Sequence, residues 1–192
     1  MSKEKVKKSP KQELKEWLTV IVIGAVLVIG IRNFGFRITT VKGVSMEPNY
    51  IHGELVFTDM FTYKVSAPKR NDIVICEYDS GMDNELFIKR VIAGPGDEIN
   101  IYYNEDESCY NVAVNGETIN EDYIMEPMLS GGDWQYPIKL VTDEYFVMGD
   151  NRNISADSRD SYIGIFDRDK IIGKVRFKIM SKAYQRCNMN IQ

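Results

Sequence analysis

The chain has 192 residues, 44% of them hydrophobic, which suits one domain with an appendage. Its net charge of -4 is unevenly spread: residues 1–37 carry eight Lys/Arg against three Glu, which leaves -9 for residues 38–192. An acidic main domain argues against nucleic acid as a partner. The three cysteines are widely spaced and form no C-x-x-C pair, which argues against a zinc knuckle or a thioredoxin-like site.

The first feature along the chain is an uncharged apolar run, Trp17 to Ile31, which follows sixteen polar, lysine-rich residues. As a helix rising about 1.5 Å per residue, the run spans roughly 22 Å of the roughly 30 Å hydrocarbon core, and flanking cations can snorkel to the interface. We therefore expect a tail at residues 1–16, a transmembrane anchor at 17–36 and a larger domain at 37–192. The lysine excess places the tail in the cytoplasm and the domain outside.

The apolar run has two other interpretations, a cleaved signal peptide and a buried core helix. A cleaved signal peptide needs a small-x-small site after its apolar stretch, and residues 32–37 offer none. A buried core helix is the other alternative, but this run is apolar on all sides, rich in β-branched residues and preceded by a cluster of lysines. The sequence therefore favours an uncleaved anchor in the cell membrane, in contact with lipid.

The rest of the chain has the composition of β-strands. Strands are predicted at residues 36–41, 55–57, 73–76, 86–92, 145–148, 163–165 and 170–179, with irregular β structure over 98–142 and hairpin turns at 115–116 and 131–132. Segments with helical periodicity are lacking after the apolar run. We expect a mostly β domain.

A short loop after the anchor, residues 43–48, carries the candidate nucleophile Ser45. A serine hydroxyl is a weak nucleophile at neutral pH, so it needs a base to take its proton and a donor for the oxyanion. Pro48 restricts the residue before it to extended or turn geometry, and an ordinary turn is the alternative for this loop taken alone.

A candidate base lies 44 positions later, in the strand at residues 86–92. With a period of two, Lys89 shares a face with Phe87 and Val91, whereas Arg90 shares the other face with apolar neighbours. Apolar surroundings lower an amine pKa towards the range that a general base requires. The alternative is an edge strand on which lysine deters aggregation.

A dense polar loop, residues 149–160, follows the strand at 145–148. Counted from Asp150, its sixth position is Ser155 and its twelfth is Ser161, where a calcium-binding EF-hand needs Gly and Glu. The calcium template therefore fails, and a structural loop of Asx turns is the alternative. No metal or cofactor is expected.

The anchor, the G-x-S-M-x-P loop, the strand lysine and the G-D-N-R loop with S-x-D-S-R occur together and in that order. This set resembles bacterial type I signal peptidases, over about residues 15–179. The resemblance implies a signal-peptidase/LexA-like β fold, a monomer, and signal peptides of exported preproteins as substrates. It makes Ser45 the nucleophile, Lys89 the general base and the Ser45 backbone N–H an oxyanion donor. It makes Ser155 the hydroxyl that orients the lysine. The further site residues that it implies are Gly43, Met46, Pro48, Arg90, Gly149, Asp150, Asn151, Asp157 and Arg159.

Two positions depart from the family pattern. Asn49 stands where threonine is usual, which leaves local loop geometry open, and Gly43 offers no side-chain oxyanion donor where some members have serine. The lone histidine, His52, lies beside a turn and is expected at the surface, because Lys89 occupies the base position.

Two other functions compete with this one. A self-cleaving repressor of the LexA type also uses a Ser-Lys dyad, but it is soluble and carries a DNA-binding region. An inactive homologue serving as a membrane-tethered binding or assembly module is the second, although such a protein would have little reason to keep both Ser45 and Lys89.

Overall fold

A computed structural model describes residues 9–81 and 84–179, and the chain divides into two units, Met1–Phe36 and Arg37–Gln192. The first unit contains helix α1, Pro10–Phe34. Ser9 and Gln12 begin it with a reciprocal capping box, in which each backbone N–H donates to the other's side chain. The apolar side chains of α1 are exposed from Trp17 to Ile29. Within the described residues, no helix is long and apolar enough to cross a membrane, so the predicted anchor is not confirmed.

The second unit is built of antiparallel strands, as expected for a mostly β domain. Its elements are β1 (Phe36–Thr40), β2 (Leu55–Asp59), α2 (Thr62–Val65), β3 (Ile73–Asp79), β4 (Asn84–Ala93), β5 (Glu98–Asn104), β6 (Cys109–Val114), β7 (Glu117–Thr118), β8 (Ile138–Lys139), β9 (Glu144–Met148), β10 (Phe166–Asp167), a 3-10 helix (Arg168–Lys170) and β11 (Ile171–Ile179). One sheet has the order β1-β2-β11-β3-β4-β9-β10, and the other β7-β6-β5-β8.

Both faces of the larger sheet are covered at its centre. On one face Val74, Cys76 and Val91 belong to a buried cluster, and on the other Ile75 and Ile88 belong to a second one. A third cluster joins the end of β4 to the smaller sheet. Strands buried on both faces have continuous apolar runs, as residues 73–76 do. The two cations in the middle of β4 therefore lie in the interior of the domain.

Two predicted β features are wrong. Residues 163–165 are not a strand, because Ile163 ends a turn in which the backbone N–H groups of Ile163 and Gly164 both donate to the carbonyl of Asp160. The strand begins only at Phe166. Residues 131–132 do not close a hairpin, because β7 and β8 on either side pair with β6 and β5.

Gly132 is required for another reason. It has a φ of +88°, and a Cβ added there would lie 2.2 Å from the carbonyl oxygen of Arg159. Only glycine permits both that backbone conformation and that close approach. The turn at Gly132 allows its backbone to pack closely against Arg159 of the polar loop.

Candidate active site

Lys89 lies at the centre of β4, opposite Val74 of β3, and is only 3% exposed. Its Nζ donates a hydrogen bond of 2.8 Å to the Oγ of Ser155 and lies 5.5 Å from the ring centroid of Phe87. The predicted face shared by Lys89 and Phe87 is confirmed. The amine is thus enclosed by the domain and held by a hydroxyl.

Burial lowers the pKa of Lys89 from its ordinary value, because the charged form loses its hydration. The carboxylate of Asp157 opposes the shift, whereas the guanidinium of Arg159 adds to it. The net direction is downward. The neutral amine, the form that accepts a proton, is therefore easier to reach than in an exposed lysine.

The candidate nucleophile, Ser45, lies half-buried in the turn that connects β1 to β2. Met46 anchors this loop because its side chain is fully buried in the cluster beneath the sheet. Gly43 has a φ of +85°, and its N–H donates to Nδ1 of His52 at 3.0 Å. Pro48 is exposed and follows a cis peptide bond. His52 is exposed, as predicted.

Gly149 connects the nucleophile loop to the lysine. A Cβ at this position would lie 2.3 Å from the Oγ of Ser155 and 2.4 Å from the carbonyl oxygen of Ser45. That carbonyl also accepts a hydrogen bond of 3.0 Å from the N–H of Asn151. Ser45, Gly149, Ser155 and Lys89 are therefore contiguous, although the described contacts include no hydrogen bond between the Ser45 hydroxyl and the amine.

Asp157 and Arg159 hold the polar loop from within. Asp157 is fully buried and accepts hydrogen bonds from the N–H of Gly149 at 2.9 Å and from Arg159 Nε at 2.8 Å. Burial alone would raise the pKa of Asp157, but the hydrogen bonds and charge of Arg159 outweigh it and lower the pKa. Arg159 also donates to the carbonyls of Arg152 and Ser155. The backbone around Ser155 is thereby fixed.

Arg90 and Asp150 form a second ion pair beside the first. Nε and Nη2 of Arg90 donate to the two carboxylate oxygens of Asp150, each at 2.7 Å, and Asp150 is fully buried. The guanidinium lies 3.9 Å from the ring centroid of Tyr123. Arg90 directly follows Lys89 and Asp150 directly follows Gly149, so this pair joins the two segments that carry the lysine and Ser155.

The amino-acid pattern over most of the chain agrees with this geometry. Residues 14–180 match the family described as signal peptidase, peptidase S26. The chain belongs to that family.

Named relatives agree with this membership in the signal peptidase family. A signal peptidase I of Bacillus amyloliquefaciens is 35% identical over 184 residues, which cover 92% of this chain and 94% of that protein. Signal peptidase IB of Staphylococcus aureus is 30% identical, with 94% of this chain and 96% of that protein covered. A solved signal peptidase I from Enterococcus faecalis is similar at 23% identity and a TM-score of 0.42, with 58% of this chain and 100% of that chain covered. The family model and the Bacillus and Staphylococcus relatives confirm the resemblance seen in the motifs, and the chain is a serine-type signal peptidase.

Within this signal peptidase, three residues near the site were not predicted. Arg152 is buried, donates to the carbonyl of Gly149 at 3.0 Å and forms an ion pair with Glu121. Asn49 donates to Asp150 at 2.9 Å and to the carbonyl of Tyr123 at 2.6 Å. The position of Arg152 in the G-D-N-R motif could have identified it as a site residue from the sequence. Glu121 had none, because it lies in a stretch without a recognisable motif.

Proposed function

We propose that this chain removes signal peptides from exported preproteins, with Ser45 as nucleophile and Lys89 as general base. The observation that carries the proposal is the buried Lys89, whose hydrogen-bond partner Ser155 packs against Gly149, which in turn approaches the carbonyl of Ser45. The neutral amine takes the Ser45 hydroxyl proton as Oγ attacks the scissile carbonyl. The protonated amine then gives that proton to the leaving amino group, which leaves an ester on Ser45. A water that Lys89 deprotonates hydrolyses the ester and releases the signal peptide.

The other site residues hold this pair in place. Ser155 accepts the lysine hydrogen bond and orients the amine, while the Ser45 backbone N–H stabilises the oxyanion. Gly149 and Asn151 contact the nucleophile's carbonyl, and the Asp157–Arg159 and Asp150–Arg90 pairs fix the polar loop. None of these steps calls for a metal or cofactor.

The proposed substrate path runs along β4. Residues 84–89 pair with β3 on one edge, while β9 joins the other edge only from Arg90 onward. Beside the edge of residues 84–89 that β9 does not cover lies a cavity of about 780 Å³, lined by β1, β4 and Gly43. An extended peptide can add to a strand edge of this kind through main-chain hydrogen bonds, with alternate side chains facing the enzyme. The cleavage region of a signal peptide is such an extended stretch, with small residues at the first and third positions before the cut.

We further propose that α1 attaches the enzyme to the cell membrane, with the catalytic domain outside. The support is the charge-free run from Trp17 to Ile31, the lysine excess before it, and the exposure of the apolar side chains on α1. Protease added outside intact protoplasts should then cut the region after Arg37 and spare the lysine-rich N-terminus. Protection of the large domain would reverse the proposed orientation.

The function is tested with the full-length protein in detergent and a preprotein series. Cleavage should require Ser45 and should fall when bulky residues replace the small ones at the first and third positions before the cut. Changing the intervening residue should matter little. Equal tolerance at all three positions would contradict the binding mode. Absence of any Ser45-dependent cleavage would favour the inactive homologue.

A further inference from the structure

Asn49 makes a contact that connects the candidate nucleophile to a buried ion pair. It lies four residues after Ser45, in the same loop, and is half-buried. Its Nδ2 donates to Oδ2 of Asp150 at 2.9 Å and to the carbonyl of Tyr123 at 2.6 Å. The loop that carries Ser45 is thereby attached to two other segments through one side-chain amide.

Asp150 is the point at which these attachments meet. Its carboxylate receives two hydrogen bonds from Arg90, the residue next to the candidate base, and one from Asn49. Charge-assisted bidentate pairs are strong and geometrically specific. A path of three side chains therefore runs from the Ser45 loop, through Asn49 and Asp150, to Arg90 in the strand that carries Lys89.

Catalysis by two residues on separate segments depends on their relative placement, and an error of about 1 Å can cost on the order of 10²-fold in rate. No hydrogen bond joins the Ser45 hydroxyl to the Lys89 amine among the described contacts, so other groups must set that placement. We propose that Asn49 is a positioning residue that aligns Ser45 with Lys89 through Asp150 and Arg90. This inference rests on the function proposed above.

The backbone at Asn49 is held independently of its side chain. Lys178 of β11 donates to the Asn49 carbonyl at 2.9 Å, and the N–H of Tyr50 donates to the carbonyl of Met46 at 2.8 Å. Removing the side-chain amide should therefore leave the loop folded. What it removes is the link to Asp150.

The chain offers a matched control in Asn153. Its side chain joins the polar loop to residues 126–129, through the N–H of Leu129, the carboxylate of Glu126 and the carbonyl of Pro127, at 2.9 to 3.0 Å. None of these bonds involves Asp150. Asn153→Ala therefore loses at least as many hydrogen bonds as Asn49→Ala without touching the proposed path.

The kinetic test measures kcat and KM separately on a preprotein with the full-length protein in detergent. Asn49→Ala should lower kcat about tenfold to a hundredfold with little change in KM. Asn49→Asp should lower it further, because a carboxylate cannot donate and repels Asp150. Asn49→Thr should recover part of the rate, because its hydroxyl can donate to Asp150. Asn153→Ala should stay near wild type, and all variants should melt as cooperatively as wild type.

A double mutant tests the path itself. Asn49→Ala added to Asp150→Ala should cost little beyond Asp150→Ala alone, because both remove the same connection. Multiplicative losses would place Asn49 outside the path and overturn the proposal. Unchanged kcat in Asn49→Ala, or an equal loss in Asn153→Ala, would also overturn it.

Hydrogen exchange separates this inference from the proposed function. The N–H of Asn151, which donates to the Ser45 carbonyl, should exchange faster in Asn49→Ala and at the wild-type rate in Asn153→Ala. Unchanged exchange in Asn49→Ala would contradict the positioning role whether or not the enzyme is active. Faster exchange in Asn49→Ala, together with no Ser45-dependent cleavage by the wild-type protein, would instead preserve the mechanical link and reject the function.

Discussion

The amine of Lys89 and the hydroxyl of Ser155 are joined by a hydrogen bond of 2.8 Å, although 66 positions separate them in the chain. Ser155 therefore fixes the direction of a side chain whose burial disfavours its protonated form. A flexible lysine placed in this way can act as a base without a histidine.

The pH dependence of catalysis should reflect that buried amine. Because the proposed base Lys89 would act when neutral and burial lowers its pKa, kcat/KM should rise with pH and level off below the ordinary lysine value of 10.5. A pH profile on one preprotein measures this. An acid limb with its midpoint at the ordinary lysine value would show that the essential base is not a buried lysine.

The same shift predicts a stability effect for Lys89→Met. The folded pKa lies below the unfolded one, so between these two pH values the unfolded chain binds more protons and wild-type stability rises with pH. Methionine removes the titration. At neutral pH the variant should therefore match or exceed the wild-type free energy of unfolding, by on the order of 1 kcal/mol. The difference should shrink towards pH 10.

Denaturant unfolding at several pH values provides the measurement for Lys89→Met. Lys139→Met, at an exposed strand position, is the control and should show no such pH-dependent difference. A large loss of stability in Lys89→Met at neutral pH would mean that the charged amine is well accommodated.

Gly149→Ala should push the Ser45 loop and Ser155 apart while the domain stays folded. The new Cβ would meet the Oγ of Ser155 at 2.3 Å and the carbonyl of Ser45 at 2.4 Å, so those groups must move apart. We expect a loss in kcat on the order of 10²-fold. Gly24→Ala, where an added Cβ meets open space, should have wild-type rates in the same assay. Full activity of Gly149→Ala would mean that this close approach is irrelevant to catalysis.

His52→Ala should retain most activity, because Lys89 is the proposed general base. The exposed imidazole accepts one hydrogen bond, from Gly43, and a neutral hydrogen bond contributes about 0.5–1.5 kcal/mol. We expect rates within about tenfold of wild type. A loss of several orders of magnitude in a folded protein would shift the mechanism towards histidine.

The sequence predicted the local features of this fold and site better than its distant pairings. The apolar neighbours of Lys89 in β4 indicated its burial, because strand periodicity is a local property. The partners of Asp150 could not be predicted in this way: Arg90 lies 60 positions away and Asn49 lies 101 away. Such contacts depend on strand order. Asn49, which departs from the family motif, thus makes a hydrogen bond to Asp150 that no sequence periodicity indicates.

In the proposed mechanism Ser45 and Lys89 act as one catalytic unit. This pairing is tested most directly by kcat for Ser45→Ala, Lys89→Ala and the double mutant, purified at full length and assayed on one preprotein. Each single mutant should lose essentially all cleavage while staying folded, and the double mutant should be scarcely worse than either, because members of a dyad are strongly non-additive. Substantial Ser45-independent or Lys89-independent cleavage by a folded single mutant would contradict the assignment.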